Sequence, residues 1–355
     1  MTIPKFSQSA QSFHAELKKR INDYFANEGK PTTGNYTLFT KAIVLTLAFA
    51  FVYVHLVFFT PVAWVAIPEC ILLGGLTAAI GFNVMHDGMH GSFSRYKWVN
   101  ELAGLSLNFL GANNFMWRTK HNIIHHTYTN VEGIDDDIEA RPFLRLSGSQ
   151  PHLKMHKYQH WYFWIAYSLL YLFWVFFTDY KKYFTRRIGP TPLKKMSLKD
   201  HLSFWGFKLL HAFMFVALPI YMIGFVDWMI GFLSLSLFAG FVLSIVFQLA
   251  HTVETTEFPA ANLETGKMED EWAVHQLRTT ANFATRNRFI CWWVGGLNFQ
   301  IEHHLFPRIS HVHYPEISKI IKKACEDFGM PYHEFRKMRT AIVSHVKHLK
   351  SLSVA

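Results

Sequence analysis

Residues 42–60 form the sequence AIVLTLAFAFVYVHLVFFT, in which His55 is the only readily ionised side chain. Because a helix needs roughly 20 mostly apolar residues to cross a bilayer, this run predicts a membrane span. Pro61 to Glu69 is predicted to form a turn. Cys70–Met85 then returns as a shorter apolar helix rich in Gly and Ala, which suits close helix packing. The two segments predict a membrane hairpin with both ends on one face, and the second segment ends directly before His86.

The composition also indicates a membrane protein. Half of the 355 residues are hydrophobic, and only 17% are charged, against about 25% in an ordinary soluble domain. The formal net charge of +10 suits nucleic acid, anionic lipid or an acidic protein, and the apolar spans favour the last two over nucleic acid. Cys70, Cys291 and Cys325 are widely spaced, so neither a disulfide framework nor a thiolate metal site is predicted.

A second hairpin is predicted nearer the C-terminus. Trp205–Phe225 and Trp228–Ala250 are apolar runs separated only by residues 226–227, which predicts a tight turn at the opposite membrane surface. His251 follows the last run immediately and would therefore lie on the same side as His86.

Two further stretches, Trp98–Trp117 and Trp161–Thr178, are long enough to compete as spans. The positive-inside rule puts both flanks of Trp161–Thr178 on the cytoplasmic side, because basic residues precede the first span and follow this stretch: Lys18, Lys19, Arg20, Lys30, Lys41, Lys181, Lys182, Arg186, Arg187, Lys194, Lys195 and Lys199. The stretch Trp161–Thr178 is therefore predicted to be an interfacial or re-entrant helix. Its aromatic side chains suit the headgroup level: Trp161, Tyr162, Trp164, Tyr167, Tyr171 and Trp174.

These patterns predict an all-α integral membrane protein. Four transmembrane helices form two hairpins, and interfacial helices and a histidine-rich cap lie on the cytoplasmic face. Residues 1–40 are predicted to be a cytoplasmic segment without the apolar core of a signal peptide, residues 41–310 the membrane domain with its cap, and residues 311–355 a cytoplasmic helical tail. The expected location is the bacterial inner membrane or the endoplasmic reticulum.

Three short histidine motifs lie just outside the predicted membrane segments. Residues 86–90 are HDGMH, with two imidazoles four residues apart on one helix face. Residues 121–126 are HNIIHH, which repeats that spacing and adds a histidine about 100° round the helix. Residues 300–304 are QIEHH, whose Gln and two His share one side of a helix. Two surface histidines explain one isolated motif, but three motifs on the same predicted face indicate a metal site.

The residue types point to particular metals. Imidazole suits iron, copper, zinc and nickel, and a site with about eight nitrogen ligands can hold two such ions with positions open for dioxygen. Nearby carboxylates are candidates to accept the second ring N–H of a ligating histidine: Asp87, Asp135, Asp136, Asp137, Glu254 and Glu302. For the run 135–137 and Glu139, a solvated acidic turn is the alternative interpretation.

The remaining histidines are not predicted to bind metal. His55 and His211 lie inside predicted spans, where a neutral imidazole bonded to a nearby carbonyl is expected. Trp272 and Asn282 are candidates to line the site entrance, but from the sequence alone they are interpreted as loop residues. The other histidines lie in polar flanks and are expected to be solvated or interfacial: His14, His152, His156, His160, His201, His275, His311, His313, His333, His345 and His348.

The order H-x-x-x-H, H-x-x-x-H-H and Q-x-x-H-H between paired spans resembles the membrane fatty acid desaturase family, over about Lys41 to Pro307. Members are similar in having four spans and a di-iron centre on the cytoplasmic side, which receives electrons from a small redox protein. His251, at the end of the last span, resembles an isolated extra ligand between the second and third motifs. The resemblance implies two iron ions bound by His86, His90, His121, His125, His126, His251, His303 and His304.

Two details of the motifs depart from the commonest pattern. Gln300 stands where other branches have histidine, as in front-end and related acyl-lipid desaturases, and is expected to be a weak ligand or to hold a metal-bound water. The second motif has one more residue between His121 and its His-His pair than the common H-x-x-H-H. The sequence contains no His-Pro-Gly-Gly haem motif of a fused cytochrome b5 domain, so electrons are expected from a separate ferredoxin or cytochrome b5-type donor.

The predicted function is oxygen-dependent desaturation of a fatty-acyl chain, carried by a lipid or by coenzyme A and held in an apolar tunnel. Gln300 favours insertion of the new double bond near the carboxyl end of the acyl chain. A related di-iron hydroxylase or ketolase is the nearest alternative. A polytopic metal transporter is less favoured because, apart from His55 and His211, the predicted spans are nearly free of ionisable groups. The oligomeric state is left open.

Overall fold

The computed structural model describes residues 4–7, 12–262 and 264–354. In this part of the chain, two-residue strands form two small sheets: β1 (Arg187–Ile188) pairs antiparallel with β2 (Thr191–Pro192), and β3 (Asn282–Phe283) pairs parallel with β4 (Glu334–Phe335). Most other elements are helices: α1 (Phe13–Glu28), α2 (Tyr36–Phe59), α3 (Ala63–His90), α4 (Lys97–Phe109), α5 (Asn114–Trp117, continued by Arg118–His125 and His126–Tyr128), α6 (Lys154–Ser168), α7 (Leu170–Thr185), α8 (Leu198–Ile223), α9 (Phe225–His251), α10 (Trp272–Thr279), α11 (Arg288–Trp293), α12 (Gln300–Leu305), α13 (Tyr314–Phe328) and α14 (Met338–Ser351).

Four helices, α2, α3, α8 and α9, are long and apolar enough to cross a membrane, as the sequence predicts. α2 packs against α3, α8 is followed directly by α9, and α9 packs most extensively against α3. A Cβ atom at Gly74 of α3 would lie 2.4 Å from the carbonyl oxygen of Leu235 in α9. Glycine at this position therefore permits the close helix approach expected of a membrane bundle.

The predicted turns of both hairpins are displaced. The prediction of a turn over Pro61–Glu69 is wrong, because α3 begins at Ala63 and includes Pro68. Gly224, rather than residues 226–227, connects α8 to α9, and those two residues lie in the first turn of α9. The φ angle of Gly224 is 85°, which a residue without Cβ adopts at little cost.

The two competing stretches both break in the middle. Trp98–Trp117 is divided between α4 and α5, and Gly111, with φ of 97°, lies in the intervening turn. Trp161–Thr178 is divided between α6 and α7, whose axes differ by 55°, compatible with a re-entrant helix or a broken span. Trp161 is 75% exposed. Tyr167 and Tyr171 are instead buried, because their hydroxyl groups form hydrogen bonds inside the protein.

Two lysines are buried in membrane-length helices, contrary to the sequence prediction. Lys41 was expected on the cytoplasmic flank, but it lies in α2, and its Nζ donates to Oδ1 of Asn83 at 2.7 Å. Lys208 lies inside α8, and its Nζ is 3.2 Å from a carboxylate oxygen of Asp179. The spans therefore carry more charge than the prediction of nearly uncharged helices allows.

The histidines outside the motifs are also more buried than predicted. His211 is bonded to the carbonyl oxygen of Phe109 at 3.1 Å, as expected for a neutral imidazole in a span. His55 instead lies 2.8 Å from the carboxylate of Glu69. The expectation of solvated flank residues is wrong for six histidines, which pack inside the protein: His156, His275, His311, His313, His345 and His348.

The N-terminal helix α1 is amphipathic and packs against the rest of the protein. Its apolar side chains share one buried cluster with α10, α12 and α13: Phe13, Leu17, Ile21 and Phe25. Ser12 caps its first turn, and Gly29, with φ of 60°, ends the helix. The N-terminal helix and α13 thus cover the apolar side chains of α12, Ile301 and Leu305.

Candidate metal centre

Four helices bring the predicted ligands to one buried region. The side chains are His86 and His90 at the end of α3, His121, His125 and His126 in α5, His251 at the end of α9, and His303 and His304 in α12. Because these four helices converge at this region, residues far apart in the sequence become neighbours. Every one of these rings lies within 6 Å of another ring of the set.

The ring nitrogens form two groups, each suited to one metal ion. In group A, one nitrogen from each side chain lies within 4.8 Å of the others: His86, His90, His121 and His303. Group B meets the same distance limit: His125, His251 and His304. His126 lies between them, because its ring centre is 4.6 Å from that of His303 in group A and 4.5 Å from that of His304 in group B.

The backbone of α5 explains the position of His126. The helix is π-helical over Arg118–His125, and the wider turn of a π-helix brings residue i+5 closer to the face of residue i than an α-helix does. His126 therefore lies beside His121, with the two Nε2 atoms 3.2 Å apart, whereas an α-helix predicts a wide angular separation. Nε2 of His86 lies 3.3 Å from the same His121 atom. Nitrogen atoms of three imidazoles therefore converge at one point, which is an arrangement that suits a bound cation.

Four histidines are held in a defined orientation through Nδ1. Nδ1 of His125 lies 2.9 Å from the Asp135 carboxylate, and Nδ1 of His251 lies 3.3 Å from the Thr279 carbonyl oxygen. In the third motif, Nδ1 of His303 lies 3.0 Å from the Tyr314 hydroxyl, and Nδ1 of His304 lies 2.8 Å from the Gln276 amide oxygen. In each ring Nε2 is buried and has no hydrogen-bond partner in the described chain. A ring that donates from Nδ1 keeps its Nε2 lone pair available, which is the arrangement of metal-binding histidines.

Burial keeps most of these imidazoles neutral. It lowers the pKa of His126, His303 and His304 well below the ordinary value, and it lowers the pKa of His121 to about 4. Burial acts in the same direction on His125, but Asp135 and Asp137 outweigh it and raise the pKa of that ring. Neutral imidazoles are the form that binds metal.

Two of the predicted carboxylates contact the histidines of the centre. Asp135 is bonded to His125, and Asp137 has an oxygen 3.7 Å from Nδ1 of that ring and 4.0 Å from Nδ1 of His121. Lys120 lies 2.6 Å from the other oxygen of Asp137, so this carboxylate remains charged despite its burial. A solvated acidic turn is therefore wrong for Asp135 and Asp137.

Four other predicted carboxylates contact different partners. Asp136 pairs with Lys182 at 2.9 Å, and Glu254 is partly exposed near Lys347. Asp87 accepts a hydrogen bond from the Ser310 hydroxyl at 2.7 Å and lies 3.0 Å from Nδ1 of His311. Glu302 accepts from the side chains of Asn282 at 2.7 Å and Tyr332 at 2.8 Å, so Asn282 is not a simple loop residue. Asp87 and Glu302 therefore anchor the first and third motifs to other parts of the chain.

Several residues of the centre lie outside the histidine motifs. Gln276 of α10 holds His304, Tyr314 of α13 holds His303, and Trp272 donates from Nε1 to the carbonyl oxygen of His126 at 3.0 Å. None of them stands in a motif, so only their position in the fold identifies them.

Gln300 is buried one turn before His303, and no hydrogen bond joins its side chain to the eight histidines in the described residues.

Four membrane-length helices and a buried, histidine-lined centre define a class of integral membrane oxidoreductases with a metal site. A family model described as fatty acid desaturase matches residues 62–336. The chain belongs to the fatty acid desaturase family, and it is an oxidoreductase that desaturates fatty-acyl lipids. This family membership favours the predicted reaction over the hydroxylase, ketolase and transporter alternatives.

Relatives similar along almost the whole chain carry more specific names. A sn-1 linoleoyl-lipid 6-desaturase of Arthrospira platensis is 35% identical over 96% of this chain and 93% of its own length. An enzyme of the same name from Synechocystis sp. is 36% identical over 99% of this chain and 98% of its own length. An acyl-lipid (8-3)-desaturase of Physcomitrium patens is 35% identical over 97% of this chain and 72% of its own length.

Proposed function

We propose that the protein is a di-iron acyl-lipid desaturase of the front-end type. Group A would hold one iron ion and group B the other, with His126 between them and Gln300 as a weak ligand or a contact to metal-bound water. The observation that carries the proposal is the set of four buried, unpartnered Nε2 atoms whose rings are anchored through Nδ1. All eight donors are imidazoles, a ligand type that suits iron.

The side chains around the histidines favour oxygen chemistry on an apolar substrate. When bound, iron would supply the activation of dioxygen that desaturation requires. Trp117 stacks on His121 with ring centres 4.4 Å apart, and Phe247 lies 5.0 Å from His125 and 4.7 Å from His251. These rings exclude water and offer an apolar surface to a methylene chain, which has no polar group by which it could be bound.

The proposed substrate is a lipid-linked acyl chain that is already unsaturated. The relatives named sn-1 linoleoyl-lipid 6-desaturase and acyl-lipid (8-3)-desaturase support this class. Gln300 in the third motif supports insertion of the new double bond toward the carboxyl end.

The proposed topology follows from the charge distribution. Two hairpins, α2–α3 and α8–α9, would cross the bilayer, with the histidine-rich cap, residues 1–40 and residues 311–355 on the cytoplasmic face, and residues 41–310 as the membrane domain. This orientation supports electron transfer from a separate cytoplasmic donor, a ferredoxin or a cytochrome b5-type protein, since such donors do not cross the membrane.

The test is the fatty-acid profile of a desaturase-poor host that expresses the chain with a competent donor and is supplied with linoleate. Gas chromatography with mass spectrometry should detect a new double bond on the carboxyl side of the existing ones. The variant H303A/H304A should abolish it, whereas H156A, which removes a buried histidine remote from the centre, should retain it. Hydroxylated acyl chains, or a new bond only on the methyl side, would contradict the proposal.

A further inference from the structure

A basic pocket lies on the protein surface beside the β3–β4 pair. Its volume is about 490 Å³, and its lining contains four cations and no carboxylate: Arg286, Asn287, Arg288, Arg336, Lys337 and Met338. Arg286, Arg288 and Lys337 form no ion pair in the described residues, and Arg336 lies 3.5 Å from Glu334. This charge composition selects an anion. Guanidinium groups in particular bind phosphate oxygens through paired hydrogen bonds.

The two strands hold the pocket's arginines in place. β3 and β4 run parallel, with Phe283 opposite Phe335, so the chain leaves both strands at the same edge. Arg336 follows β4 directly, and Arg286 follows β3 after a short turn in which the Ala284 N–H donates to the carbonyl of Phe335 at 2.7 Å. The positive charges are therefore brought together by the backbone rather than by flexible side chains alone.

Helix α11 places the pocket at the level of the membrane surface. It begins at Arg288, and its carbonyl groups contact two membrane-length helices: Trp292 accepts from Lys41 of α2 at 3.2 Å, and Trp293 accepts from Asn83 of α3 at 2.8 Å. Phe289 is 69% exposed and Trp292 is 38% exposed. Exposed aromatic residues at the ends of spans are typical of the headgroup region.

We propose that this pocket binds the phosphate group of a membrane lipid, with the acyl tails of that lipid lying along the exposed aromatic face of α11. A lipid is favoured over a soluble anion or a protein partner, because the cations stand directly beside apolar side chains that project outward at membrane level. An amphiphile with a negative head matches both features, because cations near the membrane surface attract anionic headgroups. The inference depends on the fold and membrane location, not on the metal centre.

The test uses the full-length protein in nanodiscs that contain spin-labelled phosphatidylglycerol or spin-labelled phosphatidylcholine. Electron paramagnetic resonance gives the association constant of each lipid. R286Q/R288Q/R336Q/K337Q should weaken the binding of phosphatidylglycerol by at least about fivefold and leave that of phosphatidylcholine unchanged. The matched control removes four exposed lysines from α7, the following loop and the start of α8: K181Q/K194Q/K195Q/K199Q.

Three outcomes would overturn the proposal. Equal losses in the two variants would mean that only diffuse attraction operates. Displacement of the lipid by an equal concentration of glycerol 3-phosphate would assign a soluble ligand. Unchanged lipid binding with a loss of donor-dependent turnover would assign the pocket to the redox protein. Iron content and the unfolding temperature verify that the fourfold variant folds. If the fourfold variant does not fold, R286Q/R288Q replaces it and should show about half of the free-energy change.

Discussion

His304 and Gln276 are joined by a hydrogen bond of 2.8 Å between Nδ1 of the imidazole and Oε1 of the amide. Both side chains are fully buried, and the Thr129 hydroxyl lies 2.9 Å from the same amide oxygen. The amide oxygen can only accept, so the proton of His304 is fixed on Nδ1 and the Nε2 lone pair points toward group B. Gln276 thus acts on the proposed iron site through a ligand, without binding metal itself.

We expect Gln276→Ala to lower iron affinity by about 10- to 100-fold, because loss of the acceptor frees the ring to rotate and to change tautomer. Iron per chain, measured by mass spectrometry of protein equilibrated with buffered ferrous ion, should fall at low iron. Turnover should recover when iron is in excess, which a merely misfolded variant would not do.

Gln159→Ala is the matched control, because Gln159 is equally buried and its amide bonds Arg145 and Leu349 far from the histidines. Its loss should lower the unfolding temperature while iron affinity stays constant. If the two variants lose iron to the same degree, Gln276 contributes only to general stability and not to the orientation of His304.

His251 supplies a second prediction, since it lies outside the three motifs. His251→Ala should release the ion of group B, retain that of group A and reduce turnover more than about 100-fold, because group B has only two other histidines besides the shared His126. Mössbauer spectroscopy of iron-57-loaded protein distinguishes one ion from two. In the wild-type protein both ring nitrogens of His156 have protein partners, so the control His156→Ala should keep both ions. Retention of two ions by His251→Ala would remove this residue from the ligand set.

The sequence predicts the spans well because their apolar length is a local property. The four helices α2, α3, α8 and α9 require only runs of apolar residues, and such runs are visible without any knowledge of packing. The turns are placed less well. Apolar residues such as Val62 and Val226 suit a membrane surface and a helix end equally, so hydropathy alone does not locate the boundary between them.

The histidine motifs are visible in the sequence, but the geometry that combines them is not. The π-helical segment of α5 changes which residues share a face, and the i, i+4 spacing of His121 and His125 gives no sign of it. Lys41, Gln276 and Tyr314 acquire their roles from contacts with residues far along the chain. Such contacts depend on tertiary packing, which no local pattern in one sequence encodes.

Removal of iron provides a third prediction. The ring nitrogens within each of groups A and B lie within 4.8 Å of one another, and a ligand bound only by the folded state stabilises it by mass action. A strong ferrous chelator should therefore lower the unfolding temperature by several degrees, and restored ferrous ion should reverse the change.

The matched control for iron removal is H303A/H304A, which takes one proposed ligand from each group. Its unfolding temperature should be low from the start and should not respond to the chelator. If the wild-type protein also shows no response, the histidine groups do not hold metal in the folded protein.

Lys208 and Asp179 form a buried ion pair between α8 and α7, with Nζ 3.2 Å from the carboxylate. The same ammonium donates to the carbonyl groups of Gly111 at 2.7 Å and Val175 at 2.9 Å. Lys208 therefore ties one membrane-length helix both to the bent α6–α7 pair and to the turn between α4 and α5. A cation at this depth is tolerated because every proton of its ammonium has an acceptor.

We expect Lys208→Met to lower the free energy of unfolding by about 3 kcal/mol, because it leaves the Asp179 carboxylate buried without its closest cation. The double variant K208M/D179N should lose less, since no charge then remains unpaired. Lys199→Met, at an exposed position near the start of α8, controls for the loss of one positive charge and should change stability by less than about 0.5 kcal/mol. Reversible unfolding in mixed micelles measures all three. A double variant as unstable as Lys208→Met would show that the carbonyl contacts, rather than the ion pair, hold the two helices together.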